Sequence, residues 1–235
     1  MKQRVRFTKL GKVRFLSHRD IARVWERALR RAGVRVAYSE GFSPRPRLSF
    51  GLALSTGYES LGEYLDIDLA EEVDPDQLPA IVAPSLPTGI VAQVAIVIPP
   101  GTDSLQQAVT SSTWRIDLPA VAPGDLIAAA ERVLALDTLP VTVERKGAEA
   151  QLDARLAIVG LTPLGSVLEA ELTTQPRSLR PAELLRAVDP MWVAGRVLRT
   201  HQWTSVDGAR CEPIPFGDLG ARGATSAPHA EARAS

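Results

Sequence analysis

Cysteine is almost absent from this chain of 235 residues: Cys211 is the only one. A single thiol excludes an internal disulfide, and it excludes any iron–sulfur or cysteine-built zinc site made by this chain alone. Histidine is nearly as scarce, and His18, His201 and His229 are scattered without the spacing of metal ligands. No apolar run approaches ~18 residues, and no charged start leads into an apolar stretch with a small-residue cleavage site, so neither a membrane span nor a secretory signal is expected. The expectation is a cytosolic protein with no membrane partner. A phosphate-cradling G-x-x-x-x-G-K loop and a G-x-S-x-G nucleophile elbow are also missing. His18, just after a helix N-cap and close to several arginines, is then the one candidate for general acid–base chemistry, as in an RNA-processing enzyme. A surface histidine at a helix start is the plainer reading.

What the chain does have is arginine, concentrated at one end. The formal net charge is zero, yet residues 1–50 hold 14 lysines and arginines against Asp20, Glu26 and Glu40. That segment carries +11, and the remaining 185 residues, with 13 basic and 24 acidic side chains, carry −11. Such a split points to a surface for a polyanion or an acidic partner, or else to a basic segment that pairs with an acidic one inside the fold. Glu59, Glu63, Asp66 and Asp68 form the first acidic cluster, and the two aspartates alternate as on a solvated strand face.

The opening R-V-R-F sets Val5 and Phe7 against Arg4 and Arg6, and K-V-R-F-L sets Val13 and Phe15 against Lys12 and Arg14. Both read as half-buried strands with basic outer faces. Ser17 and Asp20 open a helix over about residues 18–32, whose apolar stripe leaves Arg19, Arg23, Arg27, Arg30 and Arg31 largely on the other side. Strands are expected at residues 34–38, 48–55, 63–69 and 90–98, with a short helix from Asp74-Pro75 to about Leu86. Pro99-Pro100-Gly101 marks a boundary. The same order then returns: strand 113–118, helix 123–136, strand 141–145, a hairpin of 155–161 and 166–173, helix 181–188 and strand 193–203. The expected fold is α+β, with tandem ferredoxin-like βαββαβ units at residues 1–101 and 102–205, each an antiparallel sheet with two helices on one face. Residues 206–235 are small and polar, and a disordered tail is expected there.

Between the expected strands 34–38 and 48–55 lies G-F-S-P-R-P-R-L-S-F-G. Pro44 and Pro46 fix their own φ and push Ser43 and Arg45 toward extended conformations, so the loop should be stiff. A stiff loop that presents Arg45 and Arg47 loses little entropy on binding phosphate or carboxylate. Prolines that block edge pairing and arginines that keep it soluble are the alternative. Eight of the 12 aromatic residues fall in the first 64 positions, and aromatics among arginines suit stacking on single-stranded RNA. Phe7, Phe15 and Trp25 lie on the apolar faces, which leaves Phe42 and Tyr58, in turns, as stacking platforms. The candidate RNA or partner surface is therefore Arg4, Arg6, Lys9, Lys12, Arg14, Arg19, Arg23, Arg27, Arg30, Arg31, Phe42, Ser43, Arg45 and Arg47.

Residues 4–20, R-V-R-F-T-K-L-G-K-V-R-F-L-S-H-R-D, together with E-R-A-L-R-R-A-G and Y-S-E-G-F-S-P-R-P-R-L-S-F-G-L-A-L-S-T-G-Y-E-S-L-G-E-Y-L-D-I, resemble a bacterial radical-SAM-associated domain of unknown function. The likeness is close over residues 3–69 and looser to about 203. In that family the position of Arg45 is frequently histidine, so a role there that needs an imidazole is not expected of this chain. The resemblance implies a radical SAM partner, often with a cobalamin-binding region, that holds the iron–sulfur cluster and S-adenosylmethionine. It also implies a genomic neighbourhood of ribonuclease and ribosomal-protein genes. Without C-x-x-x-C-x-x-C this chain cannot be the radical SAM catalyst and needs no cofactor of its own. The expectation is a non-catalytic accessory subunit that binds and positions RNA, tRNA or rRNA, through its basic N-terminal surface. The alternative is a protein-interaction module docking on an acidic face of the radical SAM partner.

Overall fold

The structure is a computed structural model that describes residues 1–214 apart from 146, 177 and 207, with the side chain of Arg145 also left out. In chain order it comprises β1 (Lys2–Lys9), a 3-10 turn (Gly11–Phe15), α1 (His18–Arg31), β2 (Leu48–Phe50), β3 (Glu59–Asp68), α2 (Leu78–Val82) and β4 (Ala92–Val97). The second half adds α3 (Leu105–Ala108), β5 (Val109–Asp117), α4 (Pro123–Ala135), β6 (Pro140–Arg145), β7 (Ala148–Asp153), β8 (Ile158–Leu164), β9 (Val167–Thr173), α5 (Pro181–Val188), β10 (Val197–Val206) and β11 (Ala209–Cys211).

Nine strands form one mostly antiparallel sheet in the order β4-β1-β3-β10-β5-β9-β8, with β2 also on β3 and β11 on β10. The β6/β7 hairpin stands apart as a second, two-stranded sheet. In the first half the spatial order is β4-β1-β3-β2, and in the second, hairpin aside, β10-β5-β9-β8. Both halves thus place their fourth strand beside the first and their third beside the second. They are joined by β10, which runs parallel to β3 at Leu198↔Glu59 and Arg199↔Ser60.

Each half buries its own core on the helical side. Val5, Phe7, Leu65 and Ile67 of the sheet meet Ile21, Val24, Trp25 and Leu29 of α1, with the Phe7 and Trp25 rings edge to face at 5.1 Å. In the second half Trp114, Ile116, Leu168, Ala170 and Val197 meet Leu126, Ala130 and Val133 of α4 and Leu184 and Leu185 of α5. Apolar burial of ~1.5–3 kcal/mol for each large side chain holds the helices down. A smaller cluster of Tyr64, Leu105 and Ile214 covers part of the other face of β3.

Several expectations are corrected. Residues 12–16 are not a strand: Gly11, at φ 68, turns the chain into a 3-10 turn in which only Val13 is buried and Phe15 is 61% exposed. Residues 34–38 make only isolated bridges, Val36↔Leu69 and Tyr38↔Pro46. The strand expected over 48–55 ends at Phe50, where it leaves β3. The stretch from residue 206 is ordered further than expected: β11 pairs with β10, and Glu212 and Ile214 are buried. The rest of the expected tail lies outside the described residues.

Candidate nucleic-acid interface

The helix α1 starts with a reciprocal cap: Ser17 Oγ accepts from the Asp20 N–H at 3.2 Å, and Asp20 Oδ2 accepts from the Ser17 N–H at 3.2 Å. Hydrogen bonds from Ser17, side chain first, hold the Asp20 carboxyl below its usual pKa. Ile21, Val24, Trp25, Ala28 and Leu29 face the core. Arg19, Arg23, Arg27, Arg30 and Arg31 are all exposed, and the first four recur at spacings of four, four and three, which puts them in one stripe. Arg23 pairs weakly with Asp20 at 3.6 Å, and Arg27 Nε donates to the Arg23 carbonyl at 3.2 Å.

The Pro-Arg loop is closed at its base. The Ser39 N–H donates to the Arg45 carbonyl at 2.9 Å, the Arg45 N–H to Ser39 Oγ at 3.0 Å, and the Arg47 N–H to the Ala37 carbonyl at 2.8 Å. Phe42, Ser43, Arg45 and Arg47 are exposed, and Phe42 sits fully in solvent next to Gly41, whose φ of 116 turns the tip. Between this loop and the end of α1 lies a cleft of about 420 Å³ lined by Glu26, Arg30, Arg35, Tyr38, Pro46 and Leu48. The arginine stripe and the loop therefore border one surface. Arg35 and Tyr38, absent from the expected site, belong to it.

Other members of the expected surface are not on it. Arg4 is 4% exposed, and its Nε and Nη2 grip Asp66 Oδ1 and Oδ2 at 2.7 and 2.9 Å. Arg6 is buried with a guanidinium nitrogen 3.5 Å from Glu212 Oε1. Lys9 is buried, its Nζ donating to the Leu16 carbonyl at 2.9 Å, and burial lowers its pKa despite the nearby Glu63. On the outer face Glu212 pairs with Arg6, and Ile214 and Leu105 pack on Tyr64 of the neighbouring β3, so alternation did not mean exposure. Asp66 is likewise no solvated strand residue. Lys12 is exposed on the 3-10 turn, while Arg14 lies over the Phe15 ring and 3.9 Å from Glu59. His18 is exposed at the start of α1 with its ring edge-on to Phe50 at 5.3 Å.

A second cleft, of about 220 Å³, opens at the seam between the halves. Arg199 crosses it: Nη2 donates to Glu63 Oε1 at 2.6 Å and to the Leu52 carbonyl at 2.9 Å, and the guanidinium lies 5.3 Å from the Trp114 ring. Tyr58 meets Trp114 edge to face at 6.0 Å, and burial raises its phenol pKa, offset in part by the Ala182 N–H. Tyr58 is therefore half-buried, not an open platform. Ser112 also lines the cleft; it is 2% exposed, and its Oγ has no hydrogen-bond partner. An unpaired buried hydroxyl costs about 1–3 kcal/mol. Arg180 stands exposed at the rim, and no carboxylate lines the cleft among the described residues. These side chains come from four distant segments, so only Tyr58 was visible in the sequence.

On the opposite sheet face Trp203 stacks with His201, 4.9 Å away, and the Arg210 guanidinium lies over its ring at 3.7 Å. Arg115 and Arg210 are neutralised by Glu169 and Glu171 at 2.9 and 2.7 Å. Among the described residues no cluster of histidine, cysteine and carboxylates could hold a metal ion, and no helix is long and apolar enough to cross a membrane.

A search of curated proteins found no match. Residues 2–181 match the model of a family described as an uncharacterized protein conserved in bacteria, DUF2344, and the chain belongs to that family.

Proposed function

We propose that this protein is a non-catalytic accessory subunit that binds and positions RNA, tRNA or rRNA, for a separate enzyme. One observation carries the reading: Arg19, Arg23, Arg27 and Arg30 form a solvent-facing stripe along α1, and the cleft beside Arg30 is bounded on its far side by Pro46, which lies between the exposed Arg45 and Arg47. Arg19, Arg30, Arg31 and Arg45 have no carboxylate in ion-pair range among the described residues. Four residues of helix rise about 6 Å, which suits guanidinium groups following successive phosphates of a strand. Arginine takes phosphate bidentately, and such contacts position a nucleic acid without reading its sequence.

The fourth-first-third-second strand order of each half supports reading the architecture as two ferredoxin-like units fused through β3 and β10, divided near residue 101. The resemblance to radical-SAM-associated domains supports a radical SAM enzyme, in some cases cobalamin-binding, as the partner that supplies the cluster and S-adenosylmethionine. With a single cysteine this chain supplies neither.

Binding of a single-stranded RNA oligomer, followed by anisotropy across a salt series, tests the reading. Each phosphate contact should contribute about −0.7 to the slope of log affinity against log salt, so Arg27→Ala/Arg30→Ala and Arg45→Ala/Arg47→Ala should each flatten it by about 1.4. No binding at low salt would overturn it. Co-purification with the partner enzyme from nuclease-treated lysate would then assign the arginine surface to protein docking instead.

A further inference from the structure

The seam cleft is not used by the arginine stripe. Its wall includes the half-buried Tyr58 and the buried Trp114, edge to face at 6.0 Å, and the exposed Arg180 stands at its rim. The two arginines in it differ in kind. Arg199 is 1% exposed and committed to Glu63 and the Leu52 carbonyl, so it is part of the wall. Arg180 is exposed at the entrance and has no ion-pair partner among the described residues. Deeper in, Ser112 Oγ is buried without a hydrogen bond, a polar group the fold itself leaves unmet. No carboxylate is in the lining among the described residues, and Glu183 stands beside it, accepting from the Arg180 N–H at 2.9 Å. At about 220 Å³ the space is below the range of drug-sized ligand sites.

A flat ring that can lie against aromatic side chains, joined to an anionic group that an arginine can hold, describes one nucleotide. We propose that the seam cleft binds a single nucleotide unit, with its base entering beside the half-buried Tyr58, its phosphate on Arg180 and a polar edge on Ser112. This deepens the reading of the protein as an RNA-positioning subunit, because it would give the strand held along α1 a second, base-accepting anchor. The same chemistry is offered by a free mononucleotide and by a nucleotide splayed from an RNA strand.

Calorimetric titration of the full chain with UMP and with AMP tests the inference. At least one should bind in the micromolar to millimolar range. Arg180→Ala should weaken it about tenfold, the loss of one charge-assisted contact, and Ser112→Ala should weaken it measurably without loss of folding. Absence of binding by both nucleotides, or equal binding by wild type and Arg180→Ala, would overturn the proposal. If mononucleotides fail while RNA binding still depends on Arg27 and Arg30, the seam site falls and the RNA-positioning reading stands. If mononucleotides bind at the seam but RNA oligomers neither bind nor compete, the seam site stands for a free nucleotide and the RNA reading falls.

Discussion

Arg4 and Arg27 carry the same guanidinium into opposite surroundings. Arg4 is enclosed in β1 and held at both ends of its fork by Asp66, so removing the carboxylate would leave an uncompensated buried charge. Arg27 stands in solvent, and its truncation should change stability by less than about 0.5 kcal/mol. The acidic side chains of β3 decide which arginines are spent on the fold, since Glu59 holds Arg196 and Arg14, Glu63 holds Arg199 and Asp66 holds Arg4. Glu59 gives this a pH signature. Burial alone would raise its pKa, but hydrogen bonds from Arg196 and the Gly11 N–H prevail, and the carboxyl titrates below its ordinary value of 4.5. Its stabilisation is therefore complete above the unfolded-state pKa and is lost as pH falls through the lower folded value. In urea unfolding, Glu59→Gln should lose about 2 kcal/mol at neutral pH and show a flatter decline than wild type from about pH 5 to pH 3.

Among the elements, α1 is the one whose sequence signals all agree: a capping pair, five buried apolar residues at helical spacing, and Gly33 past its end. It was legible for that reason, as were α4 and α5, which begin at Pro123 and Pro181 and end within one residue of expectation. Ser17→Ala removes one partner of the cap and should destabilise the protein by about 1 kcal/mol, read as a lower thermal midpoint. RNA affinity measured well below that midpoint should not change, because the arginines keep their backbone positions. Short elements were not legible. The run K-V-R-F-L alternates like a strand but finds no strand edge once Gly11 turns it away, and β7, with its A-E-A-Q-L-D sequence, is a strand only because β6 pairs with it. Alternation reports which faces differ, while pairing depends on what lies alongside.

At the scale of the whole molecule, β10 is the tie between the halves. It completes the second strand set, lies parallel to β3 of the first, and carries Arg199 into a pairing with Glu63, while Arg196, just before it, pairs with Glu59. With the two cores sharing one sheet and these ion pairs, unfolding should be a single transition: denaturant curves from a Trp25→Phe variant and a Trp114→Phe variant should each show one midpoint coincident with circular dichroism. Two separated midpoints would show that the seam does not couple the cores. By itself the sequence determined the α+β class, the principal helices, the repeat of element order and the arginine-rich face of α1, because each follows from local periodicity, capping and charge. Only the tertiary structure decided which basic residues are surface and which are ballast for β3, because that depends on carboxylates dozens of residues away. The seam cleft was decided the same way, by strands from both halves meeting at β10 and bringing Tyr58, Ser112, Arg180 and Arg199 to one place.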